Sequence, residues 1–220
     1  MKSELLIPDP PITIIQVASE RCSMFPERIE TDRLNLERIS HDSVDVFALH
    51  ELYSEGKYTE EMFEYWDSSP HETVKETHDY VEEAEELWDD LEGAKYVIRP
   101  KEGEDGAGEI AGTTGLYPHW EKRSANLGIL LDKRFWGRGY SGERADALLS
   151  VAFTQLDLEI VAASYIDGNE KSRRAITKYV EQYNGQYEGL LRNWLPVGDT
   201  VADVHRCTIS QKEYLEAVED

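Results

Sequence analysis

Cysteine is scarce in this chain, with two in 220 residues. Cys22 and Cys207 lie far apart, and neither has a Cys or His partner at metal-ligand spacing, so neither a disulfide framework nor a zinc site follows. Positive charge is scarce as well: 23 Lys and Arg stand against 45 Asp and Glu, a formal net charge of -22. Nucleic acid is held by neutralising its phosphates, so this balance argues against it as a partner. No apolar run approaches the roughly 18 residues of a spanning helix, and a membrane is not an expected partner either. The first residues, Met1-Lys2-Ser3-Glu4 and a short apolar stretch broken at Pro8, Pro10 and Pro11, lack the pattern of a signal peptide. A cytoplasmic location is the resulting expectation.

Carboxylate, by contrast, is abundant and spread along the chain, from Glu82, Glu83, Glu85 and Glu86 through Glu102, Glu104 and Asp105 to Glu213, Glu216 and Glu219. Such spread looks like a property of the whole surface. It leads us to expect a halophilic source, where molar salt screens mutual repulsion to within roughly 3 Å; an ordinary acidic protein is the alternative. Hydrophobic residues at 40% and aromatics at 10% supply a core, and the length suits one domain. Residues 1–28 read as a Pro-containing extension with a short strand over 12–17, and residues 29–220 as the domain.

Within the domain, residues 29–39 alternate apolar and polar after Asp32, the period of a half-buried strand. Ser40-His41-Asp42 reads as the cap of a helix carrying Val44, Val46, Phe47 and Leu49. An amphipathic helix follows from about Pro70 to Leu91. Strands at 96–99 and 109–117 enclose a solvent-exposed, acid-rich turn over 101–108, and a third strand runs from Ser124 to Leu131. A helix through Glu143 to Leu156, a strand at 160–165, a helix from about Glu170 to Gln182, a final strand at 204–209 and a short polar end at 211–218 complete the chain. This is an α+β pattern on a mixed sheet.

The sharpest local feature is Arg134-Phe135-Trp136-Gly137-Arg138-Gly139-Tyr140-Ser141-Gly142, placed between a strand and an amphipathic helix. Two glycines allow a tight turn, so several N–H groups and the positive helix end can point at one anion, a pyrophosphate being the natural choice. The dinucleotide and Walker patterns are both absent. Taken alone, Gly-x-Gly here reads equally as a plain turn.

Together with other segments, Arg134-x-x-Gly137-x-Gly139 resembles the pyrophosphate signature of the GNAT acetyltransferases. Asn169-Glu170-Lys171-Ser172-Arg173-Arg174 resembles the Asn-x-x-Ser-x-Arg segment of the branch that includes the ribosomal-protein N-terminal acetyltransferases RimJ and RimL. Glu30 to Leu36, Gly112 to Leu116 and Glu188-Gly189-Leu190-Leu191-Arg192-Asn193 are similar to further segments of that branch, in its order, over roughly residues 29–210. The resemblance implies a mostly antiparallel mixed sheet flanked by helices, whose fourth and fifth strands splay to admit the pantetheine arm of acetyl-CoA, with no metal. Ile129, Leu130 and Leu131 would contact pantetheine through main-chain groups. Arg134, Gly137, Arg138, Gly139, Tyr140, Ser141 and Gly142 would hold the pyrophosphate, Arg138 being read equally as a solvated cation. Asn169 and Ser172 would face the thiol end, with Arg174 packing or meeting a phosphate.

The implied reaction is acetyl transfer to a primary amine, a protein N-terminus first, or a small amine such as a polyamine, amino acid or antibiotic. The chain departs from the superfamily at two places. Ile176 stands where many members carry a Tyr acid, and Asn126 where relatives often carry a Glu in the fourth strand. Ser172 is the candidate acid, equally a helix-capping residue; His119 and Glu121 are the candidate bases, with Glu109, Asp203 and His205 behind them. A non-catalytic acyl-CoA-binding domain is the reading from a different class. Relatives pair into dimers, so a homodimer is an open expectation.

Overall fold

The strand expected over 29–39 is interrupted at Thr31–Arg33, and the interruption makes two strands of the expected one. β1 (Arg28–Glu30) and β2 (Leu34–Arg38) pair antiparallel, with Ile29 opposite Leu36. The turn closes through the Thr31 amide on the Leu34 carbonyl at 2.9 Å and the Leu34 amide on Thr31 Oγ1 at 2.9 Å. The next helix also starts later than its first polar cluster suggests. Asp45, not Ser40-His41-Asp42, caps α1 (Val46–Tyr53), its Oδ1 accepting from the Phe47 amide at 2.8 Å. Ser40 instead forms its own turn, its carbonyl taking the Val44 amide at 3.0 Å. Serine and aspartate both satisfy orphan amides at a helix start, so local chemistry does not choose between them.

The structure is a computed structural model and describes residues 23–54, 59–65, 69–198 and 200–219. The strand expected over 12–17 and Cys22 lie outside those residues. After α1 come α2 (Thr59–Phe63) and α3 (Val74–Asp89), capped by Thr73 and burying Thr77, Val81, Ala84 and Trp88 on one face. β3 (Ala94–Pro100), β4 (Gly112–His119) and β5 (Ser124–Leu131) then run as an antiparallel meander. α4 (Tyr140–Ser150) ends in a π-helical turn over Val151–Gln155, and β6 (Ile160–Ile166) and α5 (Glu170–Gln182) follow.

The end of the chain departs most from its sequence pattern. The expected last strand is the middle of β8 (Thr200–Ser210), which forms a long hairpin with β7 (Gln186–Val197), and the polar end is a helix, α6 (Gln211–Glu219), that buries Tyr214. β7 occupies the sheet edge and is exposed along most of its length, so no buried face imposes alternation on it. The sheet order is β1-β2-β3-β4-β5-β6-β8-β7, antiparallel everywhere except between β5 and β6. Leu148 and Leu149 of α4 and Ile176 and Tyr179 of α5 pack on the sheet with Val161 and Ile209, while Leu49 of α1 and Val81 of α3 meet Val97 and Leu130. The α+β expectation holds. Among the described residues no helix is long and apolar enough to cross a membrane.

Candidate active site

The site begins where two neighbouring strands stop following each other. β5 and β6 are in parallel register from Ser124 opposite Ile160 to Leu127 opposite Ala163, and no farther. Past that point β5 stays with β4, Gly128 opposite Gly115 and Leu131 opposite Gly112, while β6 stays with β8, Ser164 opposite Arg206 and Ile166 opposite Val204. Each strand keeps its outer partner, so a gap opens between them. Ile129, Leu130 and Leu131 lie on its β5 side, beyond the last residue that pairs with β6; among the described residues no strand pairs with them there, and the Leu131 carbonyl accepts from Trp136 Nε1 at 2.9 Å.

The loop after β5 turns across one end of this gap. Asp132 Oδ1 accepts from the Arg134 amide at 2.9 Å and starts a 3-10 turn over Lys133–Phe135. Gly137 and Gly139 have φ of 77° and 84°, the left-handed region that glycine enters without strain, and α4 starts at Tyr140. Among the described residues, the amides of Arg138, Gly139, Tyr140 and Ser141 donate to no main-chain acceptor. A Cβ added at Gly137 or Gly142 would meet nothing within 4 Å, and one at Gly139 only Arg33 Nη2 at 3.4 Å. Open space, unused amides and a helix N-terminus together fit a pyrophosphate.

The cations of the loop are engaged by the chain's own acids. Arg134 Nε pairs with Asp132 at 2.8 Å and its Nη1 with Glu109 at 2.9 Å; the Asp132 carboxylate in particular holds the guanidinium pKa above its usual value. Arg138 Nη1 donates to the Asp105 carbonyl at 2.9 Å, its Nη2 meets the Asp105 carboxylate at 2.9 Å, and the Tyr140 hydroxyl donates to Glu104 at 2.7 Å. The acid-rich turn over 101–108 is therefore exposed, as its composition suggests, yet docked against the glycine loop. Tyr140 itself turns its ring into the core.

The sequence matches the acetyltransferase (GNAT) domain family over residues 33–179. The chain belongs to the GNAT acetyltransferase family. It is thus an acyltransferase, and the gap and loop are the parts of a GNAT domain. An uncharacterized N-acetyltransferase, p20 of Bacillus licheniformis, is 26% identical over 189 residues, 86% of this chain and 98% of that protein. Mycobacterium smegmatis RimJ, solved with CoA-disulfide, superposes with a TM-score of 0.74 at 16% identity, covering 90% of this chain and 95% of that one. Spermidine N-acetyltransferase from Vibrio cholerae, solved with CoA and spermine, gives 0.65 at 20% identity, covering 83% and 98%.

In this GNAT domain α5 starts beside the gap. Asn169 is its N-cap, its Oδ1 accepting from the Ser172 amide at 3.0 Å, so these two residues are joined to each other first. Ser172 is half-buried, and Arg174 is exposed on the same helix. His119 lies at the other end of β4, where the Asn126 amide donates to its Nε2 at 3.0 Å; Asn126 is two residues before the point at which β5 leaves β6. Glu121 sits in the exposed turn before β5, at the end where β5 and β6 are still paired, and is not brought to the gap. Glu109 is committed to Arg134, Asp203 accepts from the Asn193 amide at 2.8 Å, and His205 bridges the Tyr187 hydroxyl at 2.8 Å and Asp167 at 3.1 Å.

Three features escaped the sequence reading. Arg33, in the β1–β2 turn, joins the glycine loop by donating from Nη1 to the Arg138 carbonyl at 2.9 Å and pairing with Glu143 of α4 at 2.7 Å. Tyr117 lays its ring across glycines: a Cβ at Gly115 would be 2.4 Å from its hydroxyl, and one at Gly128 3.4 Å from its ring. Tyr53 of α1 places its hydroxyl 2.8 Å from Thr113 Oγ1 and 3.1 Å from the Tyr80 hydroxyl, and burial pushes its pKa up to about 12. Phe63 of α2 packs edge-on to Tyr53 at 6.0 Å. The only local signal for Tyr117 is glycine at the facing strand positions.

Proposed function

We propose that this GNAT domain transfers the acetyl group of acetyl-CoA to the N-terminal amine of a protein, in a cytoplasmic setting. The observation that carries the cofactor half is the coincidence, at one end of the sheet, of the β5 edge at Ile129–Leu131, which β6 has left, with the open glycine turn that starts α4. Acetyl-CoA would bring an activated thioester; the chain's part is to hold its phosphates at the amides of Gly137 to Ser141 and its arm along β5. Unpaired amides beside a forming oxyanion stabilise it, and a fixed, desolvated geometry contributes much of the rate in acyl transfer. His119 and Glu121 are both exposed at the end of the sheet where β5 and β6 are still paired, and the hydrogen bond from Asn126 is what favours His119 for taking the amine's proton. Ser172 is the hydroxyl nearest in sequence to the Asn169 cap and is retained as the donor to the departing thiolate.

The protein N-terminus is supported by the segments at 30–36, 169–174 and 188–193. A small cationic amine is the second reading, favoured by the net charge of -22 through electrostatic steering. If the charge is salt adaptation that support disappears, and the two origins separate cleanly: a halophilic chain loses its fold on dialysis from 2 M to 0.05 M KCl, whereas an ordinary acidic one keeps it. The test of function is calorimetric binding of acetyl-CoA to wild type and to Gly139→Glu, followed by thiol release with N-terminal peptides and with polyamines. Micromolar binding abolished by the substitution, with release only on peptides, is the expected result. Folded wild type that does not bind acetyl-CoA would refute the reading.

A further inference from the structure

Two lysines from opposite walls of the gap close on a single carboxylate. Lys133 stands two residues after the end of β5, and Lys171 lies in the first turn of α5, the helix that follows β6. Both reach Glu61 of α2: Lys171 Nζ is 2.5 Å from Oε1, and Lys133 donates to Oε2. Lys171 Nζ also lies 4.3 Å from the centre of the Trp136 ring, and Trp136 Nε1 donates to the Leu131 carbonyl at 2.9 Å, so the lysine is held against the loop side of the gap. The mouth of the gap is thus bounded by two cations that converge on one point, and the group at that point is the chain's own acid.

The arrangement has the chemistry of a phosphate site. A phosphate offers several oxygens to two ammonium groups, as the Glu61 carboxylate offers two, and carries charge that a chain of net charge -22 otherwise repels. The ion pairs themselves are weak holders, because the three side chains keep 35% to 55% of their surface exposed. Hydrogen bonds from Lys133 and then Lys171 lower the Glu61 pKa, so the two cations favour its ionised form. Glu61 differs from Glu109 and Asp105, which pair with Arg134 and Arg138 on one side, in bridging both walls.

We propose that Lys133 and Lys171 are contacts for the phosphates of acetyl-CoA, and that Glu61 occupies their place and must be displaced when the cofactor enters. The inference rests on the acetyl-CoA reading above. Glu61 therefore opposes cofactor binding while the lysines favour it, a difference of sign that a merely structural strut does not produce.

The experiment is calorimetry of acetyl-CoA and of S-acetylpantetheine, which lacks the phosphates, with wild type, Glu61→Gln, Lys133→Met and Lys171→Met, each checked for native circular dichroism. Glu61→Gln should bind acetyl-CoA roughly 3- to 10-fold more tightly and S-acetylpantetheine no differently, and either lysine substitution should weaken acetyl-CoA binding by a similar factor. Unchanged or weaker acetyl-CoA binding by Glu61→Gln, beside wild type that binds, overturns the role of Glu61 and leaves the function standing. Wild type that binds no acetyl-CoA removes both.

Discussion

Glu143 joins the glycine loop to the sheet, so on the proposed function its loss should appear in stability and in cofactor affinity together. Its Oε1 accepts from Thr31 Oγ1 at 2.5 Å and from the Arg33 amide at 2.7 Å; its Oε2 accepts from Arg33 Nε at 2.8 Å and Nη2 at 2.7 Å. Arg33 then holds the Arg138 carbonyl, next to Gly139. The Glu143 side chain is 15% exposed and that of Arg33 39%. Breaking a fully buried pair costs about 3–5 kcal/mol and an exposed one about 0.2–1 kcal/mol, so Glu143→Ala, lying between them, should cost about 2 kcal/mol. Its position in the first turn of α4 adds about 0.5 kcal/mol, since negative charge is favourable there. With a urea slope of about 2 kcal/mol/M the unfolding midpoint should fall by about 1 M. Acetyl-CoA affinity should fall at least about tenfold, because a 1.4 kcal/mol misfit at one phosphate contact is that factor. Glu143→Gln, which keeps one acceptor oxygen, should lie between. A midpoint unchanged within about 0.2 M, with affinity also unchanged, would refute the joining role.

Burial pushes the Asp146 carboxyl up from its ordinary 3.8 to about 6. The native chain then binds more protons than the unfolded one between those values; the stability this contributes is complete below pH 3.8 and is lost as pH rises through 6. Asp146→Asn should therefore be more stable than wild type by about 1–3 kcal/mol at pH 8 and equal to it at pH 4, and urea midpoints showing a pH-independent difference would contradict this. Gly112→Ala should cost about 1–3 kcal/mol and loosen the β5 edge of the gap, because the new Cβ would lie 2.2 Å from the Leu130 carbonyl oxygen; a thermal melt unchanged from wild type would count against that close approach. Gly142→Ala, in a helix with nothing within 4 Å, should raise stability by up to about 1 kcal/mol in the same melt, and a loss there would mean that the space is not open.

Some of this was readable from the residues because the governing contacts are local. β5 and α5 fall where their patterns place them, and the glycine turn, the Asn169 cap and the start of α4 depend on atoms only a few residues apart. The GNAT family followed from the order of such local segments. Other features depend on partners distant in the chain. Thr31 breaks the first strand while its hydroxyl answers to Glu143; β7 shows no alternation because it covers nothing; and 45 acids do not announce which of them will meet Lys133, Arg134 or Arg138.

Sequence alone thus determined the identity of the secondary elements around the cofactor loop and the family to which they belong, since hydrogen bonding within a turn or a helix end is set by neighbouring residues. Tertiary structure decided the gap between β5 and β6, which exists only because β4 and β8 each hold their own partner, and it decided which carboxylates stand among the loop cations. Strand divergence and charge pairing of this kind are properties of elements brought together across the whole chain, and no window of sequence contains both halves of either.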